Sequence, residues 1–175
     1  MHELRFIIHL LIKKTHDRTI CCSVSELLNA RQDEGENFII RNAHLNIDLH
    51  LKLHYVVLCG VVRSASANSH YNEYALDDHS GATIDIQNYI RSGDEDEEEN
   101  VDEKTELLPV GHYAQFVGNL RAFGQTKNFV AFSAKRIKSY NDVTVHRLQV
   151  LHDHQFLYHV ILTVTNFYCQ FCLKE

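Results

Sequence analysis

Several things are scarce in these 175 residues. There is no Trp, one Met and a single Pro, Pro109, so proline does not rule out helices anywhere in the chain. No apolar run is long enough to span a bilayer. The longest near the start, Phe6 to Ile12, is interrupted by His9 and is far too short. No small-residue cleavage pattern follows it, and Glu3 spoils a basic leader, so an intracellular, soluble protein is expected, with no membrane partner. Five cysteines (Cys21, Cys22, Cys59, Cys169 and Cys172) are an odd count at spacings unlike a secreted disulfide framework. Catalytic signatures are missing as well. The chain has no phosphate-binding loop, no nucleophile elbow and no Gly-x-Gly-x-x-Gly, and Asp77 and Asp78 are adjacent rather than facing. A non-enzymatic protein without a cofactor is expected.

Basic residues are also in deficit: 17 Lys and Arg stand against 23 Asp and Glu, a formal net charge of −6. Taken whole, that balance argues against a nucleic-acid partner. Its distribution says otherwise. Nine of the 23 acids and one of the 17 bases, Lys104, fall between Asp94 and Glu106, which leaves 14 acids against 16 bases elsewhere, a remainder of +2. From Leu107 to Val150 there are six bases (Arg121, Lys127, Lys135, Arg136, Lys138 and Arg147) and one acid, Asp142. The acidic run reads as a solvated loop. A sharper reading is that it mimics a phosphate backbone and competes for the basic face.

What is present is period-two alternation. From Leu45 to Tyr55 the odd positions are apolar and the even ones polar, which predicts one long strand running on into Tyr55–Val62, apolar on both faces. Gly60 inside it is read as a bulge or bend. Tyr71–Leu76 and Ala82–Gln87 form a hairpin around the turn residues 77–81, and His112–Leu120 with Asn128–Ile137 form another around 123–127. From the N-cap Asn141 the spacing turns helical, through Val143, Val150, Leu151, Leu157, Tyr158 and Ile161. The fold class expected is mainly β: a five-stranded barrel of the oligonucleotide-binding (OB) type followed by one C-terminal amphipathic helix. An SH3-like barrel would read similarly. The organisation is an N-terminal extension (1–42), the barrel domain (43–138, acidic loop 93–106), an assembly helix (139–161) and a tail (162–175). The tail stretch Thr163–Phe171, β-branched and aromatic, would be an aggregation hazard if left uncovered.

Three stretches are more specific. Tyr71–Gly81 leads into Ile84-Asp85-Ile86-Gln87-Asn88-Tyr89, and Gly118-Asn119-Leu120-Arg121-Ala122-Phe123 leads into Phe129-Val130-Ala131-Phe132. Upstream stand Ser25–Ala30 and Leu58–Ala65. Over residues 23–160 the chain resembles the middle subunit of replication protein A, the eukaryotic single-stranded-DNA-binding heterotrimer. The resemblance implies one OB fold, a C-terminal helix that bundles with the large and small subunits, a nuclear location, and work in DNA replication, repair and recombination. It also implies two base-stacking aromatics, which fall on Tyr89 (usually Trp in the family) and Phe123. The family's Gly/Ser-rich N-terminal tail is replaced by Met1–Cys22, and its C-terminal winged-helix domain has no counterpart, as in a shortened paralogue or isoform. Phosphorylation and winged-helix docking are therefore not carried over.

The candidate DNA-binding residues are Tyr89, Arg91, Arg121, Phe123, Lys127 and Lys135, because a single strand needs cations along its phosphates and ring faces for its bases. Arg121 and Phe123, two apart in a strand, share a sheet face. The bland alternative makes Phe123 a core ring and the bases a solvated surface. The candidate partner interface is Val143, Val150, Leu151, Leu157, Tyr158 and Ile161; the same stripe would otherwise pack only on its own barrel. Thirteen histidines and the lone Cys169-x-x-Cys172 do not form a zinc pattern, so no metal is expected. Two rivals stand beside this reading: the related middle subunit of the telomere-capping trimer, and a scaffold that has stopped binding DNA.

Overall fold

The computed structural model describes residues 19–32, 38–42, 47–51, 55–89, 107–123 and 126–172. The expectations that fall on residues 1–18 and 90–106, including Arg91 and the acidic loop, lie outside the described residues.

The first described strand, β1 (Thr19–Cys21), is followed by a short helix, α1 (Val24–Asn29). Ser23 caps α1: its hydroxyl accepts from the Glu26 backbone N–H, while the Glu26 carboxylate accepts from the Ser23 N–H at 2.9 Å. Strands β2 (Arg31–Gln32), β3 (Phe38–Asn42) and β4 (Ile47–Leu51) form a separate antiparallel sheet. Then come β5 (Tyr55–Ala67), β6 (Tyr71–Asp77), β7 (Thr83–Tyr89), β8 (Tyr113–Phe123) and β9 (Thr126–Arg136). Their order is β5-β6-β7-β9-β8, and β8 pairs back onto β5, so the five strands close into an OB-type barrel. Strand β1 adds to the barrel in parallel alongside β5. A helix, α2 (Tyr140–Cys172), follows.

The core explains the alternation. Val56, Leu58 and Val62 of β5, Leu76 of β6, Ile84 and Ile86 of β7, Phe116 of β8 and Phe129 of β9 are fully or almost fully buried. Each such side chain contributes roughly 1.5–3 kcal/mol by leaving water. Strand β5 is apolar on its other face too, because Val57, Cys59 and Val61 are buried on the side where α2 lies against β1 and β5.

Four features differ from the reading of the sequence. The alternating segment 45–55 does not extend the first barrel strand. Its β4 portion pairs with β3, Phe38 opposite Leu51 and Asn42 opposite Ile47. Alternation specifies a strand with one buried face but not which strand it pairs with. Gly60 is not the bulge; the ladder shifts register between Val62 and Ser64. A Cβ on Gly60 would lie 2.5 Å from the Asp77 carbonyl oxygen, so its lack of a side chain admits the end of β6. Within 1–42, Ile20, Cys22, Val24, Leu27 and Ala30 are buried members of the barrel core. Finally, α2 runs on through Cys172, past the expected end at 161 and through most of the segment read as a tail.

Candidate nucleic-acid interface

Strands β6 and β7 form a ribbon whose pairing runs from Tyr71 opposite Tyr89 to Asp77 opposite Thr83. The even residues of both strands up to Ile86 turn inward and are buried; Glu73, Ala75, Asp77, Thr83, Asp85, Gln87 and Tyr89 are half-buried or exposed. A groove of about 310 Å³ crosses this outer face and is lined by Ser64 and Ser66 of β5, Glu73, Asp85 and Gln87 of the ribbon, and Asn128 of β9. The face of the second and third barrel strands is where OB folds hold oligonucleotides. Hydroxyls and amides there suit base edges and sugars. Glu73 and Asp85 repel phosphates, so a strand lying here must direct its backbone elsewhere.

Tyr89 ends β7 and is 51% exposed, its ring centroid 5.6 Å from that of Tyr71. It is the one expected stacking ring whose side chain is described. Phe123 ends β8 opposite Thr126, and its side chain lies outside the described set. Arg121 of β8 and Lys135 and Arg136 of β9 are exposed, as is Lys138 just beyond β9.

Lys127 is engaged differently. Its Nζ donates to the Leu28 and Ala30 carbonyls at the C-terminal end of α1. Partial burial holds its pKa below the usual lysine value. It caps the helix end, where carbonyls lack intrahelical partners. Sequence distance hid this, since the partners lie almost one hundred residues upstream.

The two turn aspartates also have structural partners. Asp77 Oδ2 accepts from Arg63 Nε and Nη2 at 2.9 and 2.7 Å, and its Oδ1 accepts from the His79 N–H at 2.8 Å. Those bonds, the His79 backbone bond first, hold the carboxyl below the usual aspartate range. Asp78 Oδ2 accepts from the Val24 N–H at 2.8 Å, which ties the hairpin turn to the first turn of α1.

Along α2, Val143 and Val150 are half-buried and Leu151 is 62% exposed, while the side chains of Leu157, Tyr158 and Ile161 lie outside the described set. Val145, Leu148 and Phe156, not among the expected interface residues, are exposed apolar groups. The three-residue spacing of Val145, Leu148 and Leu151 was visible in the sequence, but a helix apolar on two sides does not reveal which side meets its own barrel. That side holds His146, buried and hydrogen-bonded to the Cys22 backbone, with Nδ1 unpartnered. Burial pushes its pKa below the ordinary histidine value. Nearby, Asp153 accepts from the Cys21 N–H at 3.1 Å and His154 meets Glu26 at 3.3 Å.

The thiols of Cys21 and Cys59 are pushed up to about 11 chiefly by burial, and that of Cys22 is raised well above its ordinary value for the same reason. Such thiols are unreactive at neutral pH. Among the described residues no group of three His, Cys, Asp or Glu side chains is arranged to hold a metal, and no helix is long and apolar enough to cross a membrane.

No family model matches the chain. A curated relative does: the replication protein A 32 kDa subunit-A of Xenopus laevis is 32% identical over 145 residues, 81% of this chain. The chain is similar over that length to the replication protein A 32 kDa subunit. The Rattus norvegicus 32 kDa subunit is 27% identical over 136 residues. The chain spans about half the length of these relatives, 47% of the Xenopus laevis protein. Among solved structures, a chain of a replication protein A heterotrimer bound to single-stranded DNA superposes with a TM-score of 0.62 at 21% identity, covering 81% of this chain and 98% of that one. A chain of the S. pombe Stn1–Ten1 complex superposes with a TM-score of 0.61 at 10% identity, covering 86% of this chain and 98% of its own length. These likenesses show a shared fold.

Proposed function

We propose that this chain is a single-stranded-DNA-binding subunit of a replication protein A-like heterotrimer, non-enzymatic and nuclear, serving DNA replication, repair and recombination. The observation that carries the proposal is the 145-residue relationship to the 32 kDa subunits. In this reading Tyr89 and Phe123 stack on bases, and Arg91, Arg121 and Lys135 hold phosphates. Lys127 contributes by positioning α1 rather than by meeting DNA. The exposed side of α2, with Val145, Leu148 and Leu151, joins the large and small subunits, and Leu157, Tyr158 and Ile161 continue that interface. Acids in the β6–β7 groove and a Tyr in place of Trp both favour modest affinity.

Titration of a fluorescent oligo-dT against the full chain at several salt concentrations tests the binding role. Tyr89→Ala is expected to weaken binding by about 1–3 kcal/mol, with affinity falling as salt rises. Salt-independent or absent binding would leave the scaffold reading. The Stn1–Ten1 likeness keeps a second complex in view. Affinity purification followed by mass spectrometry decides between them by the large subunit recovered.

A further inference from the structure

Beyond Tyr89 and Phe123, the barrel carries a pair of exposed rings that no part of the reading above uses. Phe132 of β9 is 44% exposed and Tyr55 of β5 is 47% exposed; their rings meet edge to face with centroids 5.6 Å apart. The arrangement is built by the backbone. In the β8–β9 ladder Val117 pairs with Ser133 and Gly118 with Ala131, so Phe132 is the extra residue of a β-bulge. A bulge of this kind re-aims the side chain it carries. Gly118 pairs on its other side with Val56, the neighbour of Tyr55, so β8 is the strand that separates the two rings. Any Cβ at Gly118 would run into the Val130 carbonyl and the Phe129 ring.

This pair is continuous with the rim already described. The parallel ladder of β7 and β9 ends with Asn88 opposite Ala131, and the residue that follows on each strand, Tyr89 and Phe132, is exposed. Tyr71, Tyr89, Phe132 and Tyr55 therefore follow one another across β6, β7, β9, β8 and β5.

Charge identifies the occupant. Residues 71–89, the β6–β7 ribbon, hold Glu73, Asp77, Asp78 and Asp85 and no Lys or Arg. Residues 113–136, the β8–β9 hairpin, hold Arg121, Lys127, Lys135 and Arg136 and no acid. Arg121 lies three residues along β8 from Gly118, and Lys135 three residues along β9 from Phe132 in the opposite direction in space. At the usual strand rise each is roughly 10 Å from the ring pair. Rings flanked by cations on both sides match a single strand, which presents π-faces and phosphates together.

We propose that Phe132 and Tyr55 form a second base-stacking platform for single-stranded DNA, reached when the strand leaves the acidic β6–β7 ribbon at Tyr89 and crosses onto the basic β8–β9 hairpin. The inference rests on the single-strand-binding reading above. It predicts a footprint with two parts, a short one on Tyr71 and Tyr89 and a longer one that also engages Phe132 and Tyr55.

The test uses the full chain and oligo-dT of about 6 and about 16 nucleotides, which bracket the site sizes of OB folds. The double variant Tyr55→Ala/Phe132→Ala is expected to lose roughly 5- to 100-fold in affinity for the long oligonucleotide and little for the short one. Tyr89→Ala is expected to weaken both. Unchanged long-oligonucleotide affinity in the double variant, with Tyr89→Ala still weakened, overturns this platform and leaves the binding reading standing. Failure of the wild-type chain to bind either length overturns both. Loss of a co-purified protein subunit from the double variant, with DNA affinity intact, reassigns the rings to a protein partner and also overturns the platform. Should the double variant not fold, photo-crosslinking of 5-iodouracil-substituted long oligonucleotide to the wild-type chain answers the same question: crosslinks at Tyr55 or Phe132 support the platform, and crosslinks confined to other residues overturn it.

Discussion

At the scale of single residues, the most consequential positions do jobs their residue type does not announce. Gly60 serves a close approach of backbones, with the Asp77 carbonyl where its Cβ would sit. Gly60→Ala is therefore expected to destabilise the barrel by about 1–3 kcal/mol, the usual cost of overpacking. A urea midpoint equal to that of the wild type would refute the argument. Lys127 reads as a phosphate contact in the sequence, yet its amine holds two carbonyls of the α1 end. Lys127→Ala should cost about 1–3 kcal/mol of stability, since it strips a charged hydrogen-bond partner from partly buried carbonyls. The slope of log affinity against log salt should stay as it is. A slope reduced by about 1 would instead make Lys127 a phosphate contact.

At the scale of elements, the docking of α2 depends on polar groups. Its inner face brings His146 to the Cys22 backbone, Asp153 to the Cys21 N–H and His154 to Glu26. Burial depresses the His146 pKa below its ordinary 6.5, so the folded state resists the proton that the unfolded chain accepts. The contribution of this group to stability is intact above about 6.5 and is lost as pH falls from there toward the folded-state value. Thermal melts from pH 7.5 to 5.5 should show a falling midpoint, and His146→Met should flatten that fall. An equal slope in the variant would put the pH dependence on other groups. The opposite face of α2, with Val145, Leu148 and Leu151 exposed, is free of these contacts and suits association with other helices.

At the scale of the whole molecule, net charge is a poor guide and its placement a good one. The −6 belongs to the 94–106 stretch and, within the barrel, to the β6–β7 ribbon, while the β8–β9 hairpin is wholly basic. A dense run of acids on the same chain as a cationic face competes with phosphates by ordinary electrostatics. Replacing 94–106 by a neutral linker is expected to tighten oligo-dT binding, most at low salt where screening is weakest. An unchanged titration would assign the stretch no part in binding.

The sequence by itself determined the elements whose signals are local. Turn chemistry at 77–81 marked the β6–β7 hairpin, alternation marked β8 and β9, and the change of period after Tyr140 marked α2. Tyr89 was singled out by the family resemblance and Arg121 by its place among the bases two residues from Phe123; both side chains are exposed. Only the tertiary structure decided what each segment meets. Strand β4 pairs with β3 rather than extending β5, β1 joins in parallel, Val24 and Leu27 enter the core, and Lys127 reaches α1. The ring pair of Tyr55 and Phe132 joins strands far apart in the chain, and neither residue stands out in its own segment. Local patterns record the state of a segment and its buried face. Partners arise from closing the barrel, where strand pairing and the bulge beside Gly118 bring distant positions together.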